Sequence, residues 1–545
     1  MVRRVAVIGA GVGGLVSVKC CLDEGLEPTC FERSEDIGGL WCYTDSTDGG
    51  RLSVYRSVIT NTSKEMSCFS DFPYPEDFPS YLPHSLVLKY FRMYAQHFGL
   101  LQHIRFKTTA LSVRKRPDFP TSGQWEVVTE TDGIQESHVF DAVMVCTGHY
   151  QEIYLPLASF PGINTHFKGQ YLHSQAYKDA EAFRGKRVLV VGIGNTGGDL
   201  SVELSRVAAK VFLSSRSNTW VLSRVSDHGF PVDMVSTTRF NNFLDWLLPS
   251  AIMKRIKFRK FNSWFNHTNY GLASTKSSNF KVIVNEELPF CLLSGAIVMK
   301  PKVKEFTESS AVFEDGTIEN IDVVLFATGY IFSFPFLEES VRSLFKDNRC
   351  LYKCIFPPQL EKPTLAIIGL LQLTGSVMVG TEMQARWVTG IFAGWNKLPP
   401  TSRMMADVLK RKPPVQRNPP ERENLKMSYV SYTSEIASCA GVKPSVLRLL
   451  LTDPRLALAV FFGPCTPYQY RLVGRGKWSG ARDAILTQWQ RTLKPLRTRV
   501  VDDFSDSSSG CCWMCLLVLP VALTAGFFLS KYHQLGWRAW AGPQL

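Results

Sequence analysis

The stretch that decides the fold is Val188-Leu-Val-Val-Gly-Ile-Gly-Asn-Thr-Gly-Gly-Asp199, in the middle of the chain. Its β-branched run leads into glycines at Gly192, Gly194 and Gly197, and a helical pattern follows from Gly198 to Ala208. Such glycines permit a tight turn, let a pyrophosphate approach the backbone and let the helix pack closely on the strand. Because the N-terminus of that helix offers unpaired N–H groups to phosphates, the stretch predicts a dinucleotide-binding βα unit.

A second motif of this kind lies at the start of the chain. Val5-Ala-Val-Ile-Gly-Ala-Gly-Val-Gly-Gly14 reads as a strand and a glycine turn rather than a signal peptide, and helical spacing follows from Leu15 to Glu24. The next strand, Pro28 to Glu32, ends in an acid about twenty residues beyond the glycines, where a carboxylate binds ribose hydroxyls. A carboxylate repels a 2′-phosphate, so this site suits FAD or NAD and not NADP.

The two motifs differ in the residue that ends the following strand. The central motif is followed by Lys210-Val-Phe-Leu-Ser-Ser-Arg-Ser217, in which Arg216 takes the place that Glu32 has in the first motif. A guanidinium grips a 2′-phosphate with two hydrogen bonds, which a carboxylate cannot do. The contrast predicts FAD at the first site and NADPH at the second, and hence hydride transfer from NADPH to the flavin. A plain surface charge is the alternative interpretation of Arg216.

Composition sets broad limits on class and compartment. The chain has 545 residues, too many for one core, so two or three domains are expected. The net charge of +13 suits nucleic acid or an anionic membrane and decides neither. The 14 cysteines have no regular spacing, which favours reduced thiols in the cytosol and offers no redox pair for a disulfide reductase. No His, Cys or carboxylate cluster has metal-ligand spacing, so no metal is expected and oxygen chemistry falls to the flavin.

Three further strings are specific to one family. They are Glu32-Arg-Ser-Glu-Asp-Ile-Gly-Gly-Leu-Trp41, Asn61-Thr-Ser-Lys-Glu-Met66, and the spaced set Phe167, Gly169, His173 and Tyr177. On these strings the chain resembles the microsomal flavin-containing monooxygenases of vertebrates, over nearly its whole length. His173 is interpreted as a structural histidine that links two domains, with a general base as the alternative.

The resemblance implies an α/β fold with two doubly wound dinucleotide-binding domains, the NADPH domain being inserted in the FAD domain. The predicted limits are 1–155 and 331–445 for the FAD domain, 156–330 for the NADPH domain with an insert at 230–280, 446–510 for a C-terminal region and linker, and 511–530 for a transmembrane anchor. Gln384 is expected to open a helix that the family shares, and Pro399 to Glu423 to be a connector.

The motifs and the resemblance together predict the cofactor-binding residues. Those for FAD are Gly9, Ala10, Gly11, Val12, Gly13, Gly14, Glu32, Leu40, Trp41, Asn61 and Thr62. Those for NADPH are Thr60, Asn61, Gly192, Gly194, Asn195, Thr196, Gly197, Gly198, Ser215 and Arg216. Relatives commonly have Ser at the position of Gly13, and Gly fits the same turn.

The reaction that the resemblance implies is an oxygenation that consumes NADPH and O2. Reduced FAD forms a C4a-hydroperoxyflavin, which transfers oxygen to the nitrogen or sulfur of a small lipophilic nucleophile. Asn61 is the predicted catalytic residue, because an amide near the flavin both donates and accepts hydrogen bonds. N-glycosylation at Asn61-Thr-Ser is the rival interpretation. The alternative functions are a Baeyer–Villiger oxygenase, an NADPH oxidase that releases hydrogen peroxide, and a catalytically silent nucleotide-binding membrane protein.

The segment from Asn241 to Asn266 interleaves basic and aromatic side chains. This pattern is typical of a helix on a membrane surface, and equally of a solvated helix packed on its own domain. No nucleic-acid motif accompanies it, so nucleic acid is not expected as a partner. The sequence leaves the oligomeric state open, a homo-oligomer included.

The tail from Cys511 to Ser530 carries no charge and is long enough to span a bilayer core of roughly 30 Å. Basic residues upstream favour a cytosolic body, and the resemblance implies the membrane of the endoplasmic reticulum. Cys511, Cys512 and Cys515 are candidates for acylation.

Two features depart from the family pattern. The chain continues from Lys531 to Leu545 beyond the apolar tail, and Arg475 replaces a usual Pro. Neither lies in a cofactor motif, so the predicted chemistry does not depend on them.

Overall fold

The computed structural model describes residues 2–45, 54–273, 281–344, 350–411 and 426–499. The described residues up to 495 form one compact unit. The predicted anchor at 511–530 lies outside the described residues. Over the ranges that are described, no helix is both long and apolar enough to cross a membrane.

The described ranges contain helices of four to sixteen residues, from the first glycine motif to the end of the compact unit. They are α1 Val12–Asp23, α2 Lys64–Ser67, α3 His84–His97, α4 Phe119–Ser122, α5 Asn195–Leu204, α6 Val232–Ser236, α7 Arg239–Leu247, α8 Ser250–Phe261, α9 Leu288–Leu293, α10 Glu339–Arg342, α11 Val377–Phe392, α12 Thr401–Arg411, α13 Tyr429–Cys439, α14 Val446–Thr452, α15 Pro454–Phe462 and α16 Ala481–Leu493.

The strands of the same ranges form two five-stranded sheets and several smaller ones. They are β1 Arg4–Ile8, β2 Glu27–Phe31, β3 Ile104–Arg105, β4 Thr108–Lys115, β5 Trp125–Thr131, β6 Ile134–Phe140, β7 Ala142–Val145, β8 Glu152–Ile153, β9 Gln170–His173, β10 Arg187–Val191, β11 Lys210–Ser214, β12 Thr219–Leu222, β13 Lys281–Val284, β14 Ile297–Lys300, β15 Val303–Phe306, β16 Ser310–Phe313, β17 Ile318–Asn320, β18 Val323–Phe326, β19 Tyr330–Ile331, β20 Leu365–Ile367, β21 Gln372–Thr374 and β22 Lys426–Ser428.

The first glycine motif lies in a parallel sheet with the strand order β20-β7-β1-β2-β3. Ile8 at the end of β1 lies opposite Phe31 of β2 and Val145 of β7. β20 pairs with β7, although all strands of the second five-stranded sheet lie between them in sequence. The chain therefore leaves the first sheet after β7 and returns at β20 to complete it.

The central motif lies in a second parallel sheet with the order β14-β11-β10-β18-β9. β10 lies between β11 and β18, as β1 lies between β2 and β7, and Val191 at its end is opposite Ser214 and Phe326. The units β1-α1-β2 and β10-α5-β11 thus have the same topology. This arrangement confirms the predicted α/β class with Rossmann-type sheets.

Both parallel sheets are buried on both faces. Val5 and Val7 belong to the core formed with α1, α3 and α11, whereas Ala6 and Ile8 belong to the core on the opposite face. Successive side chains of a strand point to opposite faces, and a strand covered on both sides needs an uninterrupted apolar run. The runs at the start and the middle of the sequence meet this requirement.

The glycine motifs open their helices three residues earlier than the apolar pattern predicts. α1 begins at Val12 and not Leu15, and α5 begins at Asn195 and not Gly198. The last glycines of each motif are themselves in the first helical turn. Glycine is a poor helix former, but a helix end that receives a phosphate has to begin at the turn itself.

Two other expectations are wrong in part. The helix that contains Gln384 begins at Val377, so Gln384 lies in its middle and not at its start. The predicted connector contains helix α12 (Thr401–Arg411), whose Met404 and Val408 are buried. An amphipathic spacing of apolar side chains outweighs the basic and proline-rich composition there. Residues 412–423 of the connector lie outside the described residues.

Candidate active site

The turn between β1 and α1 has the geometry of a phosphate cradle. Gly9 has a φ of +98°, which favours glycine. A Cβ at Gly14 would lie 1.9 Å from the carbonyl oxygen of Gly9, so only glycine fits there. No side chain caps the N-terminus of α1, and its first N–H groups are therefore left for a ligand. At Gly13 a Cβ would meet neighbours only at 3.4 Å or more, which is ordinary contact.

Glu32 lies directly after β2, next to this turn. Its Oε2 accepts a hydrogen bond from the backbone N–H of Ala10 at 2.7 Å. Its Oε1 accepts from the backbone N–H and the hydroxyl of Ser34, at 2.8 and 2.7 Å. The carboxylate is therefore fixed at the edge of the turn, where the predicted contact with ribose requires it.

The segment with Leu40 and Trp41 returns to the same turn, as the sequence predicts. Both residues belong to a short 3-10 helix, Gly39–Trp41. The N–H of Gly38 donates to the carbonyl of Ala10 at 3.1 Å. A Cβ at Gly39 would lie 3.1 Å from the Cα of Gly11, so the two backbones approach closely.

Asn61 lies on a turn that other parts of the chain hold in place. Thr60 exchanges hydrogen bonds with Leu82, through its backbone N–H and its Oγ1, both at 2.9 Å. The Arg224 guanidinium donates to Asn61 Oδ1 at 2.7 Å and to the Thr60 carbonyl at 3.3 Å. This contact fixes the side-chain amide with its oxygen toward Arg224. No described residue accepts a hydrogen bond from Asn61 Nδ2, so the nitrogen is available as a donor.

The second turn, between β10 and α5, repeats the first. Gly192 has a φ of +107°, and a Cβ at Gly197 would lie 1.9 Å from its carbonyl oxygen. Gly194 faces open space, and no side chain caps α5. Asn195 Oδ1 accepts the N–H of Val284 at 3.0 Å, which links the turn to β13.

Ser215 directly follows β11, as Glu32 directly follows β2, so Arg216 lies one residue beyond the place that the sequence predicts for it. Its side chain is exposed, and no carboxylate of the described residues forms an ion pair with it. The backbone N–H of Ser215 donates to Lys300 at 3.1 Å, and its hydroxyl donates to the carbonyl of Ser217 at 2.9 Å. The loop is therefore fixed while the guanidinium is left for an anion.

Two links between the halves of the site were not predicted from the sequence. The Tyr55 hydroxyl donates to Asp199 Oδ2 at 2.7 Å, and Asn285 donates to Asp199 Oδ1 at 2.8 Å. Arg224, which holds Asn61, also pairs with Glu286 at 2.9 Å. The first link could have been suspected from the sequence, because Asp199 is an acid beside a predicted phosphate-binding turn. Nothing local in the sequence marks Arg224.

His173 has both ring nitrogens engaged and is buried. Its Nε2 donates to the carbonyl of Gly329 at 3.0 Å, and its Nδ1 accepts the N–H of Gln175 at 3.2 Å. The contact ties β9 to the Thr-Gly end of β18. This geometry favours the structural interpretation over a general base.

The fold and the paired turns define a dinucleotide-binding flavoprotein, and comparison with known proteins gives the family. The chain belongs to the flavin-binding monooxygenase-like family, whose model matches residues 2–531. It is a flavin-containing monooxygenase, which confirms the predicted class of enzyme and a flavin as its cofactor.

Particular relatives are similar along nearly the whole chain. Dimethylaniline monooxygenase (N-oxide-forming) 4 of Homo sapiens is 56% identical over 533 residues, which are 97% of this chain and 95% of the human protein. Among solved structures, S-allyl-L-cysteine S-oxygenase from Allium sativum has a TM-score of 0.61 at 24% identity and covers 91% of this chain and 99% of its own. Cyclohexanone monooxygenase from Rhodococcus sp. Phi1 bound to NADP+ has a TM-score of 0.55 at 17% identity, over 81% of this chain and 98% of its own. These two structures share the fold.

Proposed function

We propose that the chain binds FAD at the turn of Gly9 to Gly14 and NADPH at the turn of Gly192 to Gly198, and oxygenates nitrogen or sulfur in small lipophilic compounds. The observation that carries the assignment is the pair of matching turns with opposite charges beside them, Glu32 at one and Arg216 at the other. Both turns fit a pyrophosphate, because a Cβ at Gly11 would meet only Gly39 at 3.7 Å and Gly194 faces open space.

Each proposed binding residue has one task. Glu32 accepts hydrogen bonds from the ribose of FAD, and the exposed Arg216 grips the 2′-phosphate of NADPH. The flavin supplies the redox and oxygen chemistry when it is bound. Asn61 donates a hydrogen bond from Nδ2 toward the reacting oxygen, while Arg224 holds the amide in that orientation. A donor that is fixed before the reaction stabilises developing charge without reorganisation.

The substrate class is supported by the names of relatives. The human relative forms an N-oxide from dimethylaniline by its name, and the Allium sativum protein is an S-oxygenase. Both reactions place oxygen on a soft nucleophilic atom. We therefore assign amine nitrogen and sulfur as the acceptors in this chain.

The test is a product balance for the detergent-solubilised, FAD-loaded chain. It is supplied with NADPH and O2 and, in parallel, with dimethylaniline, a dialkyl sulfide and a cyclic ketone. We expect one N-oxide or sulfoxide for each NADPH consumed. A lactone from the ketone alone would favour a Baeyer–Villiger oxygenase, and hydrogen peroxide without product would favour an oxidase. If the FAD-loaded protein consumed no NADPH, the result would favour a catalytically silent nucleotide-binding protein.

We also propose that the chain is anchored in the membrane of the endoplasmic reticulum by residues 511–530, with the body in the cytosol. The insert supports contact with lipid, because Trp246 on α7 is 76% exposed; Leu451 on α14, outside the insert, is 87% exposed. α7 packs on α15 through Phe240 and Phe462, at 5.1 Å between ring centroids. Basic residues of α8, such as Lys254 and Arg255, add the charge that an anionic surface attracts.

The anchor is tested by carbonate extraction of membranes that contain the full chain. Replacement of Leu517 and Ala522 by Arg places two charges in the apolar run, which opposes insertion. We expect the double variant to be released and the native chain to stay in the membrane. Retention of the double variant would contradict the anchor and leave the insert as the only lipid contact to test.

A further inference from the structure

A carboxylate from the insert holds the second end of the turn that carries Asn61. Asp233 lies on α6, 170 residues along the chain from Ser63, and its Oδ2 accepts the Ser63 backbone N–H at 2.7 Å. Ser63 is the N-cap residue of α2, directly before Lys64. The other oxygen, Oδ1, accepts the N–H of Met234 at 3.0 Å. Backbone N–H groups therefore occupy both oxygens of Asp233.

The burial of the ionised Asp233 carboxylate costs free energy. Asp233 is 8% exposed, and none of the ion pairs among the described residues includes it. A buried carboxylate without a cation loses its hydration and regains only part of it from backbone donors. Burial accordingly raises the pKa of Asp233 to about 6, in spite of the hydrogen bonds from Ser63 and Met234. Ionisable groups whose pKa is shifted by burial are concentrated at functional sites.

We infer that Asp233 is a positioning residue for Asn61, acting through the N-terminus of α2. Thr60 is held on one side of Asn61 by Leu82 and Arg224. Ser63 is held on the other side by Asp233, so the four-residue turn is fixed at both ends. The inference rests on the role proposed for Asn61. It assigns to the insert a task in catalysis that is separate from contact with lipid.

The ionised form of Asp233 is the stronger acceptor, so the tether weakens when the carboxyl is protonated. The charged or titratable side chains on neighbouring elements are Lys64 and Glu65 on α2, Tyr81, and the pair of Arg224 and Glu286. Lys64 donates to the carbonyls of Glu76 and Phe78, and burial lowers its pKa to about 8. Arg491 and Tyr468 bind Glu65. Burial and the charge of Asp233 raise the pKa of Tyr81.

Among these neighbours burial also raises the pKa of Glu65, while Asp233 is the carboxyl whose oxygen accepts from the turn itself. Its folded pKa is raised, so the carboxylate is present above about pH 6 and is lost as the pH falls through that value. We expect the fraction of NADPH that gives oxygenated product to fall below this pH, with hydrogen peroxide taking its place.

The test compares Asp233→Asn with Asp141→Asn in the full, FAD-loaded chain in detergent. Asp141 is a matched control, because its Oδ2 also accepts backbone N–H groups, those of Arg3 and Arg4 at 2.9 and 3.0 Å, away from the site. Hydrogen exchange is followed by mass spectrometry on peptides that cover 58–68. Product and peroxide per NADPH are measured from pH 5 to 8.

In Asp233→Asn we expect exchange in 58–68 to be about tenfold faster, as loss of a charge-assisted hydrogen bond implies. We also expect more peroxide at every pH and no pH dependence of the product fraction near 6. Asp141→Asn keeps the native exchange in 58–68 and the native pH profile. Native exchange in Asp233→Asn would overturn the inference.

The outcome separates this inference from the role of Asn61. Faster exchange in 58–68 would confirm that the contact of Asp233 with Ser63 holds the turn. If the product fraction then stayed unchanged, the role of Asn61 would be contradicted, and with it the assignment of Asp233 as a positioning residue. Should Asp233→Asn not fold, the native chain still provides the test. Exchange in 58–68 must then accelerate as the pH falls through about 6, after correction for intrinsic exchange rates; a pH-independent corrected rate would contradict the inference.

Discussion

The two glycine turns have almost the same backbone and opposite charges beside it. In each, the third glycine is forced by a contact of 1.9 Å with the carbonyl of the first, and the first has a φ of +98° or +107°. Glu32 is buried with both oxygens bonded to the chain, whereas Arg216 is exposed and has no ion pair among the described residues. The backbone therefore makes the same glycine turn twice, and we propose that a single side chain beyond the following strand determines which nucleotide each turn binds.

The largest effects are expected when one of the two turns is disrupted by substitution of its third glycine. Gly14→Ala and Gly197→Ala each bring a Cβ into a backbone carbonyl, and overpacking of this kind costs about 1–3 kcal/mol or more. We expect Gly14→Ala to lose FAD and Gly197→Ala to keep FAD but lose NADPH. Flavin content per chain and the Kd for NADPH report the two effects.

Gly194→Ala is the control for those variants. Its Cβ would meet no atom within 4 Å, so the thermal stability should stay native while NADPH binds more weakly. Loss of FAD from Gly197→Ala would show that the two turns are not independent. A folding defect in Gly194→Ala would contradict the open space at that position.

Exchange of the charges tests the second half of the comparison. Arg216→Ala should weaken NADPH by about 10- to 100-fold, the size expected for hydrogen bonds to a charged group, and NADH much less. Measurement of kcat/KM for both nucleotides gives the ratio. Arg216→Glu should favour NADH further, because it places a carboxylate that repels a 2′-phosphate beside the second turn. Equal losses for the two nucleotides would contradict the assignment of the 2′-phosphate.

The link from the second half of the chain to the first is tested at Asn61 and Arg224. Asn61→Ala should keep FAD and release most of the consumed NADPH as peroxide. Arg224→Met removes the donor at 2.7 Å but keeps the length of the side chain. It should raise the peroxide fraction by a smaller factor, about two- to tenfold, since Asn61 keeps its amide but loses the charged donor, together with the contacts of Arg224 to Thr60 and Glu286. If Arg224→Met formed as much product per NADPH as the native chain, the role of Asn61 would not depend on Arg224.

The smallest effect concerns a residue at the far end of α1. Arg475 pairs with Glu24 just beyond α1 and stacks over Trp395 at 4.0 Å from the ring centroid. Arg475→Pro should lower the free energy of unfolding by about 1 kcal/mol, because surface pairs and cation–π contacts are each weak. Thermal unfolding with FAD bound measures it. At the same end of α5, Arg206→Ala removes the pair with Glu287 and should cost about as much.

The sequence was informative where a residue type had to meet a backbone requirement. Gly14 and Gly197 could be placed from spacing, since nothing larger fits against the carbonyls that they meet. The apolar runs Val5–Ile8 and Val188–Val191 located the central strands, because both faces of each sheet are buried.

Residues that act through long-range contacts could not be located in this way. Arg224 and Asp233 lie 163 and 170 residues from the partners that they hold, Asn61 and Ser63. Neither lies in a periodic pattern or a motif, and their roles depend on how the segment from Arg224 to Asp233 packs against the turn of Asn61. The polar partners of a site are determined by tertiary structure, which a single sequence does not display.

The pairing of β20 with β7 has a consequence for synthesis of the chain. During translation the strands of the second sheet, β9 to β18, are all made before Leu365–Ile367 can close the first sheet. Contacts close in sequence form early, and domains fold largely as units while the chain emerges. We therefore expect the second five-stranded sheet to be complete first. The first sheet then still lacks β20, so one edge of β7 is unpaired. A ribosome-stalled chain that ends shortly before residue 365 should bind NADPH and fail to retain FAD.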